Sequence, residues 1–337
     1  MTAVAAFAAS LAAAQSAHAQ SVEKFYSGRT VNVVIGYGVG GGYDTYARLL
    51  ARHLGKHIPG NPSIVPQNMP GAGGLKATQY IYAVAPRDGT VIGTVARGEP
   101  LAPLLLGEKS FDALKLTYIG SVTDEASLCL TWGTSAAKTF KDLLTRETLF
   151  GGEGPGADPD MFSTAINRIF GAKMKIIAGY HSTPELTLGM ERGEIEGVCG
   201  YSASTLVGQQ PEWIKGDKVN FLTQMTTRKD ERFGDVPLIG DLASDDEQRQ
   251  VINLVIAGQA IARPFFASPD LPEDRKIALR QAFDDTMKDP DFLADARRSN
   301  LDVHPMPGAA MEAFLRKLYA LPKDLVAKAA EAIRIQY

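Results

Sequence analysis

Residues 30–35 (TVNVVI) are apolar or β-branched almost throughout and run straight into glycines, the pattern of a buried strand ending in a tight turn. Over residues 44–57 the spacing changes. Tyr46, Leu49, Leu50 and Leu54 recur at intervals of three and four, which predicts a helix that Pro59-Gly60 ends. The alternation repeats: a short strand at 63–65, a second Gly-rich turn at 70–74, a helix at 75–85, a turn at Pro86-Arg87-Asp88-Gly89 and a strand at 90–96. A βαβαβ series of this kind predicts an α/β fold with a mainly parallel sheet flanked by helices.

A second series begins near Ser127. Its strands are expected at 128–132, 148–150, 174–178, 195–200 and 220–224, with helices at 159–170 and 183–192 between them. From about residue 235 the pattern is helical: 245–257, 272–288, 291–300 and two helices after Pro307. These helices are best packed back onto the first sheet, so the chain crosses between two domains twice, near 120–126 and 225–236. The division expected is 20–122 plus 230–337 for a discontinuous first domain and 123–229 for the second. This is the double-crossover layout of a hinged binding protein, and 337 residues suit two domains.

Residues 3–14 are small and apolar, and Ala17-His18-Ala19 gives the small-x-small pattern of a cleavage site, so residues 1–19 read as an export signal cut after Ala19. No Lys or Arg precedes the apolar run. Composition is ordinary for a globular protein, with 45% hydrophobic and 22% charged residues. A net charge of −3 leaves no overall field for nucleic acid or anionic membrane. Two cysteines, Cys129 and Cys199, make no disulfide scaffold. They could bridge in an exported protein, but each lies in an apolar strand-like run where a buried thiol is the plainer reading.

The strongest chemical signal combines charge and glycine. Residues 45–87 contain no Asp or Glu, yet carry Arg48, Arg52, Lys56, Lys76, Arg87, His53 and His57. The Gly-rich turns Gly40-Gly41-Gly42 and Gly71-Ala72-Gly73-Gly74 each open an expected helix. A helix N-terminus offers free N–H groups and the positive end of the dipole, and glycine lets a ligand approach them. Two such ends form a main-chain pincer for an anion, with Asp44 expected to cap the first helix. In the second domain, Gly154, the Tyr180-His181 turn and the Tyr201-Ser202 turn follow strands and converge on the same cleft.

Rival chemistry is weaker. Gly36-x-Gly38-x-x-Gly41 fits a dinucleotide-binding pattern, but the acidic residue needed about 20 positions on is missing. His53 and His57 share a helix face without the glutamate of a metalloprotease motif. Gly200-Tyr201-Ser202-Ala203-Ser204 lacks the final glycine of a nucleophile elbow. The expectation is a binding protein without metal or cofactor. A secreted hydrolase or nucleotide-binding enzyme using the Gly-rich loops is the alternative.

VVIGYGVGGGYDTYARLLARHL, followed by IVPQNMPGAGGLKATQYIYAVAPRDGTVIGT, resembles the receptors of tripartite tricarboxylate transporters, the Bug family. The resemblance is sharpest at Gly40 to Asp44 with Arg48, at Pro70 to Gly74 and at Asp88-Gly89. It implies a periplasmic, Venus-flytrap protein that binds a small carboxylate and delivers it to a permease with a large and a small membrane subunit; the receptor itself is expected to be monomeric. It also implies that the two Gly-rich loops hold the carboxylate through main chain and water. The chain departs from the usual pattern at Tyr37, at Tyr43, at His181-Ser182, at Gly200-Tyr201 and in the acids Glu153 and Asp158. The carboxylate pincer transfers; the distal specificity pocket does not.

Overall fold

The computed structural model describes residues 22–154 and 156–334; the expected signal segment lies outside them. Among the described residues, eleven strands form two mixed sheets. In chain order they are β1 (Thr30–Ile35), β2 (Ser63–Asn68), β3 (Val91–Thr94), β4 (Thr117–Ser121), β5 (Ser127–Trp132), β6 (Thr148–Gly152), β7 (Met174–Ala178), β8 (Gly197–Ser202), β9 (Val219–Met225), β10 (Pro264–Ala267) and β11 (Met306–Pro307). The first sheet has the order β11-β4-β10-β3-β1-β2 and the second β7-β6-β8-β5-β9.

Each sheet is parallel at one end only. In the first, β1 pairs with β2 and β3 in parallel, while β10 is antiparallel to β3 and β4. In the second, β6 is parallel to β7 and β8, while β5 is antiparallel to β8 and β9. The expected mainly parallel sheets are therefore mixed, because the strands beside each crossing run back against their neighbours.

The helix Gly42–Leu54 buries Tyr46, Leu49, Leu50 and Leu54 on the first sheet, as its apolar spacing requires. The helix Asp158–Phe170 buries Met161, Phe162, Ala165 and Ile166 beside Phe150 of β6. After β9 the chain does not return at 225–236. Ile239, Val251, Ile252 and Val255 pack with Phe162, Ile166 and Met225, so this stretch stays with the second sheet's helix. The return is made just before β10. There the two passages bond to each other: the Val122 N–H donates to Arg263 O (3.2 Å), Ala262 N–H to Thr123 O (3.1 Å) and Glu125 N–H to Gln259 O (3.0 Å). The link between the sheets is thus a short antiparallel ribbon.

Cys129 of β5 and Cys199 of β8 form a disulfide, in place of the buried thiols read from the sequence. Neighbouring antiparallel strands hold the two side chains side by side. No helix among the described residues is long and apolar enough to cross a membrane.

Candidate functional site

The turns that follow β1, β3, β6 and β8 meet between the sheets, where ligands of open α/β sheets bind. They enclose a cavity of about 30 Å³ lined by Tyr37, Gly41, Gly42 and Tyr43 from the first turn and Arg97 from the second. Glu153, Asp158, Tyr201, Ser202, Thr205 and Arg263 share the wall with apolar groups that include Leu186 and Val198. A larger groove of about 1020 Å³ follows the hinge ribbon. Several of its charges pair with one another, Asp124 with Arg228 and the His304 ring, and Arg232 with Asp230 and Asp302. The smaller cavity, with Gly-rich turns and buried charge, is the candidate site.

Gly41 is the N-cap of the helix Gly42–Leu54, and no side chain caps it. The first-turn N–H groups therefore lack a side-chain acceptor. The helix begins two residues earlier than expected, which puts Asp44 inside its first turn. Asp44 is not the cap; its carboxylate reaches back to the Gly40 N–H (2.9 Å) and binds Arg48 Nε (2.9 Å) and Asn68 Nδ2 (2.8 Å). Burial pushes the Asp44 carboxyl up, but these donors outweigh it and hold it below the usual range. Asp44 and Arg48 thus brace the loop from beneath and do not line the cavity.

The second Gly-rich loop is built from left-handed backbone, with φ of 144° at Gly71, 48° at Ala72, 63° at Gly73 and 107° at Gly74. Glycine suits that run; Ala72 holds it under strain. Tyr37 Oη donates to Gly73 O (3.1 Å), tying the two loops together. Gly154 closes over Gly73: a Cβ on Gly154 would stand 3.2 Å from Gly73 N. Gly73 and Gly74 are buried and Ala72 is exposed, and none of residues 71–74 lines the cavity.

The remaining candidates divide. Tyr201, hydrogen-bonded to Thr187 (3.2 Å), and Ser202 line the cavity. Gly40 accepts from Gln209 Nε2 (3.0 Å), a contact between the jaws. His181 meets the first loop by main chain only, its carbonyl accepting the Gly38 N–H (3.2 Å), while its ring is exposed. Tyr180 points its hydroxyl at Glu194 (3.4 Å), away from the cavity.

The positive stretch at 45–87 does not serve the cleft. Arg52, Lys56 and Arg87 bind acids from far along the chain, Asp295, Asp289 and Asp270, with the rings of His53 and His57 hydrogen-bonded to the first two, while Arg48 pairs with Asp44. The aspartates sit on neighbouring elements packed against this helix, so local composition misstated the field.

The cleft's buried cations are Arg97 and Arg263, and the sequence pattern did not single out Arg263. Arg97 is 2% exposed. It gives Nη1 to Gln259 Oε1 (2.8 Å) and Nη2 to Ser202 Oγ (2.8 Å). Its Nε stands 2.8 Å from Asp158 Oδ2, ion-pair distance but off the hydrogen-bond direction. Gln259 Nε2 also donates to Asp158 (3.2 Å). Arg263 pairs with Glu125 (2.8 Å) and lies over the rings of Tyr43 and Tyr46, each 4.9 Å away. Burial raises Asp158, against the pull of Arg97. Burial also lifts Asp160 to about 6, although it accepts the N–H groups of Glu153 (2.7 Å) and Gly154 (2.9 Å). Glu153 is pushed up to about 8, by burial first and then by Asp160 and Asp158. An Arg directly before a short apolar run, as in Arg263-Pro264-Phe265-Phe266, was the signal available for the missed cation.

No family model matches the chain. In sequence it is similar to a UPF0065 protein encoded in the gbd 5′ region of Cupriavidus necator, 26% identical over 323 residues, covering 94% of this chain and 91% of that one. It is 24% identical over 222 residues to a UPF0065 protein of Bordetella bronchiseptica, covering 63% of each chain. In fold it is similar to the periplasmic binding protein BugD, with a TM-score of 0.71 at 20% identity, covering 90% of this chain and 98% of that one. It is equally similar to MatC of Rhodopseudomonas palustris with bound malate, with a TM-score of 0.71 at 19% identity, covering 89% and 99%. The sequence likeness is to UPF0065 proteins, and the likeness to BugD and MatC gives the chain the two-lobed α/β fold of periplasmic binding proteins.

Proposed function

We propose that the protein is a periplasmic receptor that closes its two lobes on a small carboxylate. The observation that carries this reading is the uncapped N-terminus of the helix Gly42–Leu54, which faces the cavity at Gly41 and Gly42. The carboxylate is held there by main chain. Arg97, Tyr201 and Ser202 bound the same space. The malate held by MatC supports a carboxylate ligand. The hinge ribbon lets the jaws swing, with one lobe reaching residue 122 and resuming near 263, in place of the division at 230. In this reading the chain is exported by its N-terminal segment, acts as a monomer and docks transiently on a large and a small membrane subunit of a secondary transporter. Thermal shift against a panel of carboxylates tests it: ligand at about a hundred times Kd adds roughly 2.7 kcal/mol. Turnover of a bound compound, or no stabilisation by any carboxylate, would count against it.

A further inference from the structure

Glu99 opens the turn Glu99–Leu101 that follows β3, and it is 1% exposed. It sits in the seam between the lobes. From its own lobe Gly74 lies against it: a Cβ on Gly74 would stand 3.6 Å from Glu99 Cγ. From the other lobe Gly156 lies over it, in the turn between β6 and the helix Asp158–Phe170. A Cβ on Gly156 would stand 2.5 Å from Glu99 Oε1, and one on Gly98 would stand 2.6 Å from Gly156 O. Closure therefore lays the main chain of one lobe directly on a carboxyl of the other, in a space that only glycine leaves open.

The covered carboxyl has little to hold a negative charge. Among the described residues its Oε2 has no hydrogen-bond partner. The charges on the elements around it face elsewhere: Arg97 toward Asp158 and Ser202, Asp158 toward Arg97 and Gln259, and Asp160 toward the N–H groups of Glu153 and Gly154. Lys76 is exposed, Glu153 lines the cavity, and Tyr37 gives its hydroxyl to Gly73 O. Burial raises the proton affinity of Glu99, the charge of Glu108 adds to this, and the Thr78 hydroxyl offsets them only in part. With the lobes apart, water reaches the carboxyl and it ionises in the ordinary range. The closed pose thus holds a proton that the open pose releases. It is favoured at low pH, and that advantage is lost as pH climbs through the raised value.

We propose that Glu99 is a proton-binding site of the seam, so that the protein takes up a proton from solvent at Glu99 each time its lobes shut. This rests on the reading of the chain as a closing receptor and adds a second, ionic ligand to it. Small-angle scattering of the ligand-free protein at pH 5, 7 and 9 tests it. Two variants are compared with the wild type: Glu99→Gln, which mimics the protonated carboxyl, and Glu99→Met, neutral and of similar length, each checked for folding by circular dichroism. In the wild type the open-to-closed ratio rises with pH, by up to about tenfold per unit for one proton; in both variants that part of the rise is lost. A second readout uses malate as the probe. Calorimetry at pH 7 in phosphate and in Tris counts the protons taken up on binding, and either variant should take up fewer, by up to about one. Scattering that responds to pH alike in all three proteins overturns the inference, whatever carboxylate binds, and so does equal proton uptake on malate binding. If malate and every other carboxylate fail to bind, the receptor reading falls, while the scattering comparison still decides the role of Glu99.

Discussion

Arg97 and Asp158 meet across the cleft, Nε to Oδ2 at 2.8 Å. Arg97 follows β3 of the first sheet, and Asp158 opens the helix beside β6 of the second. Removing one partner leaves the other charged and buried, a cost of about 3–5 kcal/mol where the structure cannot relax. Arg97→Ala and Asp158→Ala should each destabilise the protein, and the double variant should lose less than the sum. Chemical denaturation of all four proteins measures the coupling; additive losses would show that the two residues do not act on each other.

Neighbouring glycines in the first turn should behave oppositely. Gly41 has φ of −75°, and a Cβ there would find its nearest atom, Thr183 N, at 3.8 Å. A Cβ on Gly42 would stand 2.6 Å from Thr205 Oγ1 and 3.1 Å from Arg263 Nη2. Gly41→Ala should therefore fold, close and bind. Gly42→Ala should fold but resist closure, with affinity down by more than tenfold, or roughly 1.4 kcal/mol. Small-angle scattering with saturating ligand reads the difference; identical curves for the two variants would contradict it.

Stability should fall as pH rises from about 5 to 8. Glu153 and Asp160 hold protons in the folded state up to about 8 and about 6, whereas an unfolded chain releases them near 4. Their contribution is whole below 4 and is lost as pH climbs through those values. Asp295 runs the other way: hydrogen bonding to His53, with Arg52 adding to it, holds it down to about 2 against burial, so its contribution is lost only as pH drops below 4. Calorimetric scans should show a lower midpoint at pH 8 than at pH 5, by at least about 3 °C. Glu153→Gln should flatten that slope; an unchanged slope would assign it elsewhere.

The disulfide should matter for stability. Cys129 and Cys199 close a loop with a sequence separation of 70, which in the chain-entropy account is worth about 4 kcal/mol. Denaturant midpoints of the Cys129→Ser/Cys199→Ser variant and of the reduced wild type should both drop, and to the same value.

The elements most legible in the sequence were those whose own side chains decide them. β1 and β7 were placed to the residue because apolar, β-branched runs stand between clear turn signals. β4, β10 and β11 were missed: Gly120 interrupts the first, Pro264 opens the second, and the third is two residues long, so partners from distant chain define them. The site divides in the same way. Gly41, Gly42, Tyr201 and Ser202 could be found because each lies at or just beyond the end of a recognisable strand. Arg263, Glu125 and Gln259 could not, since only the return of the chain through the hinge brings them to the cleft. The acid-free stretch misled because its neutralising aspartates lie 232 and 243 residues away.

The hinge ribbon has a consequence for where selection can act. The passages at 122–125 and 259–263 bond to each other through main chain, while the side chains of Glu125, Gln259 and Arg263 reach the residues of the cleft. Such a ribbon twists without breaking its ladder, so swinging the lobes costs little backbone energy. The balance between the two poses is then left to the side chains that meet when the lobes touch. Substitutions at Thr205 or Gln209, which meet the first lobe at Gly42 and Gly40, should retune how readily the molecule shuts, a separation that lets one architecture be refitted to new cargo by changing a few contact residues.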